Sequence, residues 1–418
     1  MKRTQTVIVG AGQAGLAMSR CLTDLGIDHV LFERGRVAER WRTERWESLR
    51  LLTPNWQSRL PGYRYDGPDP DGYMSMPEVI AFLEGYASSF DAPVESETTV
   101  LDVRPGRYGL RVTTDRGVWK VRTVVIATGY CDVPFVPGIA GHLHSDIHHV
   151  TPAGYRRAGE LPPGGVLVVG ASASGVQLAD EIHASGRPVI IAAGSHTRVP
   201  RVYRGRDIMW WLDASGILHE TIDEVYDPAI SRDQVSLQLV GRGDRSTLDL
   251  LALRNRGVRV VGRVVGADGY RVALADDLVA TTVAADVKLA ALLERLNRFA
   301  AETGLDLRDH APEPFEPTWP AFTESPVALD LRAEGIRTVV WATGFKRRYP
   351  WLPAAVLDER GEIRHRGGVS CLPGLYGVGL NFMRRRNSAF IDGVGADARA
   401  VAAHIDQYLR QRAAPAVA

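Results

Sequence analysis

Cysteine is scarce. The 418-residue chain has three, Cys21, Cys131 and Cys371, and none is close to another in sequence. That excludes a disulfide framework and a four-cysteine zinc site, and it points to a reducing, cytoplasmic compartment. Net charge is also nearly absent. Lys and Arg total 50 against 49 Asp and Glu, a formal +1, so there is no general electrostatic case for nucleic acid or an anionic membrane as partner. No apolar run approaches the ~20 residues that span a bilayer. Met1-Lys2-Arg3-Thr4 enters an apolar run at once, which leaves no room for a signal peptide. What is left is an ordinary globular enzyme composition, with 45% hydrophobic and 24% charged residues and length for two or three domains.

The stretch Thr6–Gly15, T-V-I-V-G-A-G-Q-A-G, organises the first part. Val7, Ile8 and Val9 read as a buried parallel strand. Gly10, Gly12 and Gly15 follow in G-x-G-x-x-G spacing, and a helix follows them. Gly10 permits the tight turn, Gly12 lets a pyrophosphate approach the backbone, and Gly15 lets the helix lie close on the sheet. Gln13 and Ala14 open that helix and present backbone N–H groups to phosphate. Glu33 ends the next apolar run, 23 residues after Gly10, where a carboxylate accepts ribose hydroxyls. Arg34 follows it as a cofactor contact. Strand, glycines, helix and acid together predict a dinucleotide site.

A second motif lies at Val166–Ile182. Gly170-Ala171-Ser172-Ala173-Ser174-Gly175 stands between a strand and a helix, with Ser172 at the middle glycine. The next strand, Val189–Ala193, has no acid at its end. It runs into Ser195, His196, Arg198 and Arg201, which suit a 2′-phosphate that a carboxylate would repel. A solvated basic loop remains open for each arginine singly. Two such units, one acidic and one basic, predict FAD in the first and NADPH in the second, with hydride passing between them. Two apolar strands end alike, Ala127-Thr128-Gly129 and Ala342-Thr343-Gly344, where small residues admit a close ligand.

Between Glu33 and the first meander runs a loop with Trp41, Arg42, Trp46, Leu52, Thr53, Asn55 and Trp56. Either its indoles pack it on the first domain, or it covers the ring system of the bound dinucleotide; its length favours the second. Met76–Tyr86 reads as a helix, and Val100–Val103, Leu110–Thr113 and Val118–Val121 as a meander. Val258–Val265 and Tyr270–Ala273 read as strands continuing the second domain's sheet. Leu289, Leu292, Leu293, Leu296 and Phe299 mark a core-facing helix, and Asp207–Leu212 an aromatic cluster best placed in a core or interface. Ala311–Pro320 reads as a linker. Near the end, Asn387, Ser388 and Phe390 precede Gly393–Gly395 and an amphipathic helix, a place to meet the flavin pyrimidine oxygen. Arg384–Arg386 reads as solvated or as a cofactor contact, and the tail 412–418 as frayed. The expected fold is α/β, with two Rossmann-like domains: residues 1–155 bind FAD, 156–320 bind NADPH as an insertion, and 321–418 complete the FAD domain.

With both glycine motifs and both Ala-Thr-Gly strands, the chain resembles the class B flavoprotein monooxygenases, over nearly its whole length. The stretch Phe135–His149 is similar to part of that family's F-x-G-x-x-x-H-x-x-x-[FY] fingerprint. The resemblance implies an FAD- and NADPH-dependent enzyme that takes a small-molecule substrate and O2. Oxygen transfer would run through a flavin C4a-(hydro)peroxide. It places Asn55 close to the flavin as the catalytic candidate. An NADPH-dependent reductase or oxidase without that intermediate is the alternative. A disulfide reductase needs two neighbouring cysteines that this chain lacks. No metal site is expected, and a homodimer stays open.

Overall fold

The computed structural model describes residues 2–413 except 108, 226, 228–231, 233, 306, 308, 309, 313 and 314. The tail beyond 413, and part of the expected linker 311–320, lie outside them.

The β-branched run Val7-Ile8-Val9 is buried, as a parallel strand covered on both faces requires. Strand Lys2–Val9 is central to its sheet. Five parallel strands run in the order Val94–Glu95, His29–Phe32, Lys2–Val9, Gly117–Ile126, Leu375–Gly377. A second sheet repeats the plan with Arg259–Val261, Val189–Ala192, Gly165–Val169, Ile336–Trp341 and His148–Val150. Each unit also carries an antiparallel meander. In the first it is Val100–Gly106, Gly109–Thr114 and Gly117–Ile126; in the second, Val264–Asp268, Arg271–Leu274 and Ala328–Asp330. Helix Gln13–Asp24 follows the first glycine turn and helix Ala173–Ala184 the second. The last helix, Val394–Ala413, packs on Gln13–Asp24 through Val394, Ala398, Val401 and Ile405.

Three expectations shift. The second sheet takes His148–Val150 and Ile336–Trp341 from outside residues 156–320, so the domain boundaries move outward. A parallel sheet needs its central strand beside the glycine strand, and that strand ends in the second Ala-Thr-Gly. Val118–Val121 and Val124–Ile126 form one strand, because Thr123 is buried and its Oγ1 shares a 2.8 Å hydrogen bond with Thr6 Oγ1. Val258–Val265 splits at Gly262, where a Cβ would stand 2.2 Å from Ala275 O. Its second half joins the separate meander, with Arg271–Leu274, rather than the parallel sheet.

The two units are tied where their Ala-Thr-Gly strands end. Val133–Pro134 pairs antiparallel with Phe345–Lys346, Phe135 N donates to Gly344 O at 2.8 Å, and Thr343 Oγ1 donates to Phe135 O.

Candidate dinucleotide sites

The two glycine turns have one geometry. Gly10 has φ +106° and Gly170 +107°. A Cβ on Gly10 would meet Ala127 O at 2.7 Å, and one on Gly170 would meet Ala342 O at 2.4 Å. Each Ala-Thr-Gly strand thus supplies the carbonyl that only a glycine can pass. A Cβ on Gly15 or Gly175 would fall 1.8 or 1.9 Å from the carbonyl oxygen of Gly10 or Gly170, so each helix lies against its own turn. Gly12 is different: no atom lies within 4 Å of where its Cβ would be. That open space, at a helix N-terminus, is where a pyrophosphate fits. Ser172 takes this place in the second unit, and its side chain makes no capping bond to Ala173–Ala184, which leaves the hydroxyl for a ligand along with the first-turn Ser174. Gly129 and Gly344 likewise face open space at φ +78° and +93°.

Glu33 spans the first turn. Its Oε2 accepts from Ala11 N at 2.8 Å and its Oε1 from Gly35 N at 3.1 Å, which holds the carboxylate at the strand end where a ribose lies. Gly10 N donates to Phe32 O, and Gly170 N donates to Ala192 O. The buried Ala193 therefore occupies the place of Glu33 in the second unit.

Several expected contacts lie elsewhere. Arg201 is fully buried and all its guanidinium nitrogens are engaged: Nε and Nη2 donate to Asp207 Oδ2 at 2.9 and 2.5 Å, and Nη1 to Leu52 O at 2.7 Å. The Tyr73 ring lies 4.5 Å beneath it and the Tyr73 hydroxyl donates to the same carboxylate; burial pushes that phenol up to about 12. Arg198 stands between two buried acids, Asp286 at 2.5 Å and Asp249 at 3.3 Å. His196 is buried with Nδ1 against Gly194 O at 2.9 Å, and burial holds its pKa below the usual histidine value. Of the expected phosphate ligands, only Ser195 is exposed. The reason is that the two arginines meet the acids of the adjoining core before they can meet solvent. Trp46 is buried in the core of the second unit, among Tyr155, Val176 and Phe322, and so does not cover the first dinucleotide. Arg34 pairs with Glu44 and Arg42 with Glu84.

Asn55 is buried, and its amide is spent on the neighbouring loop: Nδ2 donates to Asp69 O at 2.8 Å and Oδ1 accepts from Met74 N at 2.7 Å. Its neighbours Gln57 and Ser58, missed in the sequence, are buried with both amide atoms and the hydroxyl unpaired among the described residues. The following residue pair, Arg59–Leu60, contacts helix Val394–Ala413, and a Cβ on Gly395 would lie 3.1 Å from Pro61. Asn387 Oδ1 and both oxygens of Asp397 are buried and unpaired close by on the other side. Orphaned polar atoms around a helix N-terminus, next to the open space at Gly12, fit the polar ring of a flavin. Trp41 Nε1 reaches Gln13 Oε1 at 3.4 Å, and Gln13 Nε2 reaches Ala389 O at 3.5 Å, so the tryptophan loop meets the C-terminal segment over the first turn. Ser388 Oγ accepts from Arg384 N and Arg385 N, Phe390 packs against the core around Trp211, and Thr53 is half-buried beside Leu52. The arginine run is knitted in: Arg384 Nη1 donates to Gly367 O, and Arg386 pairs with Glu220.

All three cysteines are unpaired, and burial pushes the Cys21 thiol up to about 11 and raises that of Cys131; neither is a ready thiolate. Of the fingerprint histidines, His144 stacks on Tyr270 and His149 Nδ1 accepts from Trp341 Nε1 at 2.9 Å. Among the described residues no His, Cys, Asp and Glu cluster could hold a metal ion, and no helix is long and apolar enough to cross a membrane.

Residues 7–212 match the model of the pyridine nucleotide-disulphide oxidoreductase family. An uncharacterised CzcO-like oxidoreductase of Geobacillus kaustophilus is 31% identical over 94% of this chain and 95% of its own. The indole-3-pyruvate monooxygenase YUCCA6 of Arabidopsis thaliana is 30% identical over 48% of this chain and 51% of its own. Among solved structures, a flavin-containing monooxygenase from Stenotrophomonas maltophilia superposes with a TM-score of 0.66 at 18% identity, covering 98% of this chain and 100% of that one. The fold is that of the flavin-containing monooxygenase structure, and the chain belongs to the family of the CzcO-like oxidoreductases.

Proposed function

We propose that the protein is an FAD- and NADPH-dependent monooxygenase that places one oxygen atom from O2 into a small organic substrate. The observation that carries this is the paired geometry of the two glycine turns with opposite chemistry at the ribose position, Glu33 in one and Ala193 in the other. Bound flavin supplies the hydride acceptance and the oxygen activation. The chain's own residues bind and orient. The turn Gly10–Gly15 and the N-terminus of Gln13–Asp24 hold one pyrophosphate, and Glu33 holds the ribose. The turn Gly170–Gly175 holds the other pyrophosphate, with Ser172 and Ser174 beside it. Gln57, Ser58 and Asn387 offer their unpaired polar atoms to the flavin ring. Trp41 and the strap from Trp46 to Asn55 close the space between the units and exclude water. No acid or base in the site is needed beyond these. Its three unpaired cysteines support a reducing compartment.

The test is to reduce the FAD-loaded protein with NADPH without oxygen, then mix it with oxygenated buffer in a stopped-flow spectrometer. A transient distinct from both reduced and oxidised flavin, absorbing near ~370–390 nm, is expected. Direct return to oxidised flavin, with one peroxide released per NADPH whether or not candidate substrates are present, would make the protein an oxidase and end the monooxygenase reading.

A further inference from the structure

The structural repeat allows position-by-position comparison of the two units beyond the glycine turns. Glu33 N donates to Glu95 O in the first unit, and Ala193 N donates to Val261 O in the second. Two residues further along the outer strand stand Glu97 and Arg263. The acid at the strand end of the first unit, Glu33, is thus replaced by an alanine in the second, and Arg263 stands where the first unit has the exposed Glu97. The parallel register that pairs Ala192 with Val261 carries Arg263 alongside Gly194. A Cβ on Gly194 would lie 3.4 Å from Arg263 Cδ. The Arg263 side chain therefore lies across the end of the strand that leads into exposed Ser195. Its Nε donates to Asp277 Oδ2 at 3.1 Å, while Nη1 and Nη2 make no hydrogen bond among the described residues. Arg198 and Arg201, the sequence's own choices, are neutralised by Asp249, Asp286 and Asp207.

We propose that Arg263, with Ser195, is the residue that selects NADPH over NADH, by binding the 2′-phosphate with its free guanidinium nitrogens. This rests on the reading of the second unit as a nicotinamide dinucleotide site. Asp277 fixes the Nε end of the guanidinium and leaves the fork facing outward, the geometry that suits a phosphate. The Arg263 stem packs against Gly194 at van der Waals distance from where a Cβ would stand.

The test measures dissociation constants of NADP⁺ and NAD⁺ on the FAD-loaded protein by calorimetry, for wild type, Arg263→Ala, Arg263→Lys and Arg198→Gln. Wild type binds NADP⁺ more tightly. Arg263→Ala weakens NADP⁺ by about 10- to 100-fold and NAD⁺ by less than about threefold, and Arg263→Lys recovers part of the difference. The retained NAD⁺ affinity shows that the variant is folded. Arg198→Gln lowers the unfolding midpoint and keeps the NADP⁺/NAD⁺ ratio. An unchanged ratio in Arg263→Ala, or a ratio lost in Arg198→Gln, overturns the assignment. Equal wild-type affinities overturn it and leave the dinucleotide reading standing. No binding of either nucleotide removes both.

Discussion

Asp397 is the residue least at ease in its surroundings. It lies in the first turn of helix Val394–Ala413, fully buried. Burial raises its pKa to about 6, against a downward pull from the Ser388 hydroxyl, short of a full hydrogen bond, and from Arg385 and Arg384. Ser388 Oγ accepts two backbone N–H groups, which leaves its one proton to face the carboxyl. A carboxyl whose folded pKa exceeds its unfolded one holds its proton more tightly in the native state. Its contribution is favourable below the unfolded value near ~3.9 and is lost as pH rises through about 6. Asp397→Asn, which cannot ionise, should therefore raise the thermal midpoint at pH 8 and raise it much less at pH 4.5. The gain corresponds to at most about 3 kcal/mol. Thermal unfolding at the two pH values, in excess FAD, checks it. A gain of equal size at both would mean that packing, not charge, sets the effect.

At the scale of the strand-turn-helix element, the glycines of one motif divide into two kinds. Gly15→Ala would force a Cβ to within 1.8 Å of Gly10 O, and the helix cannot retreat without opening the core around Leu16 and Leu22. We expect loss of soluble folded protein. The Cβ that Gly12→Val adds meets nothing within 4 Å, so the variant should fold, with a midpoint near that of wild-type apoprotein, and bind FAD at least tenfold more weakly. Flavin content after purification and a fluorescence titration decide this; full flavin content in Gly12→Val would show that the open space is not the pyrophosphate path. These local units were legible in the sequence because their signals are contiguous: an apolar run, spaced glycines, and an acid one strand later. What required the fold was everything set by sequence-distant partners. Arg198 and Arg201 look like free cations in a linear reading, and only the packing brings Asp286 and Asp207 to them. Asn55 looked like the active amide, yet Asp69 and Met74 consume it, and the unpaired atoms belong to Gln57 and Ser58. Arg263, some seventy residues after Ser195, enters the site through the register of one parallel strand pair.

Across the whole molecule, the two units must be held so that hydride can pass from one dinucleotide to the other, a transfer that tolerates little misplacement. The tryptophan strap does this from the first unit. Trp46 is embedded in the second unit's core, Ser48 donates to Glu181, and Leu52 O accepts from buried Arg201. Tyr73 completes the clamp by donating to Asp207. The guanidinium is thus bonded at once to its own unit and to the other. Arg201→Met keeps much of the volume but leaves the Asp207 carboxylate buried with Tyr73 and Met209 N as its donors among the described residues. Removing one partner of such a pair costs about 3–5 kcal/mol, so the unfolding midpoint should fall by several degrees. Tyr73→Phe, which loses one hydrogen bond, should cost only about 1–2 kcal/mol. If the clamp also sets the relation of the two units, Arg201→Met slows flavin reduction by saturating NADPH at least tenfold at a temperature where the variant is still folded. NADP⁺ affinity stays within a few-fold. Stopped-flow reduction beside a binding titration separates the two effects. A lowered midpoint with an unaltered reduction rate would leave Arg201 a stabilising group and no more, and the alignment of the units would then rest on the paired strands after the two Ala-Thr-Gly turns.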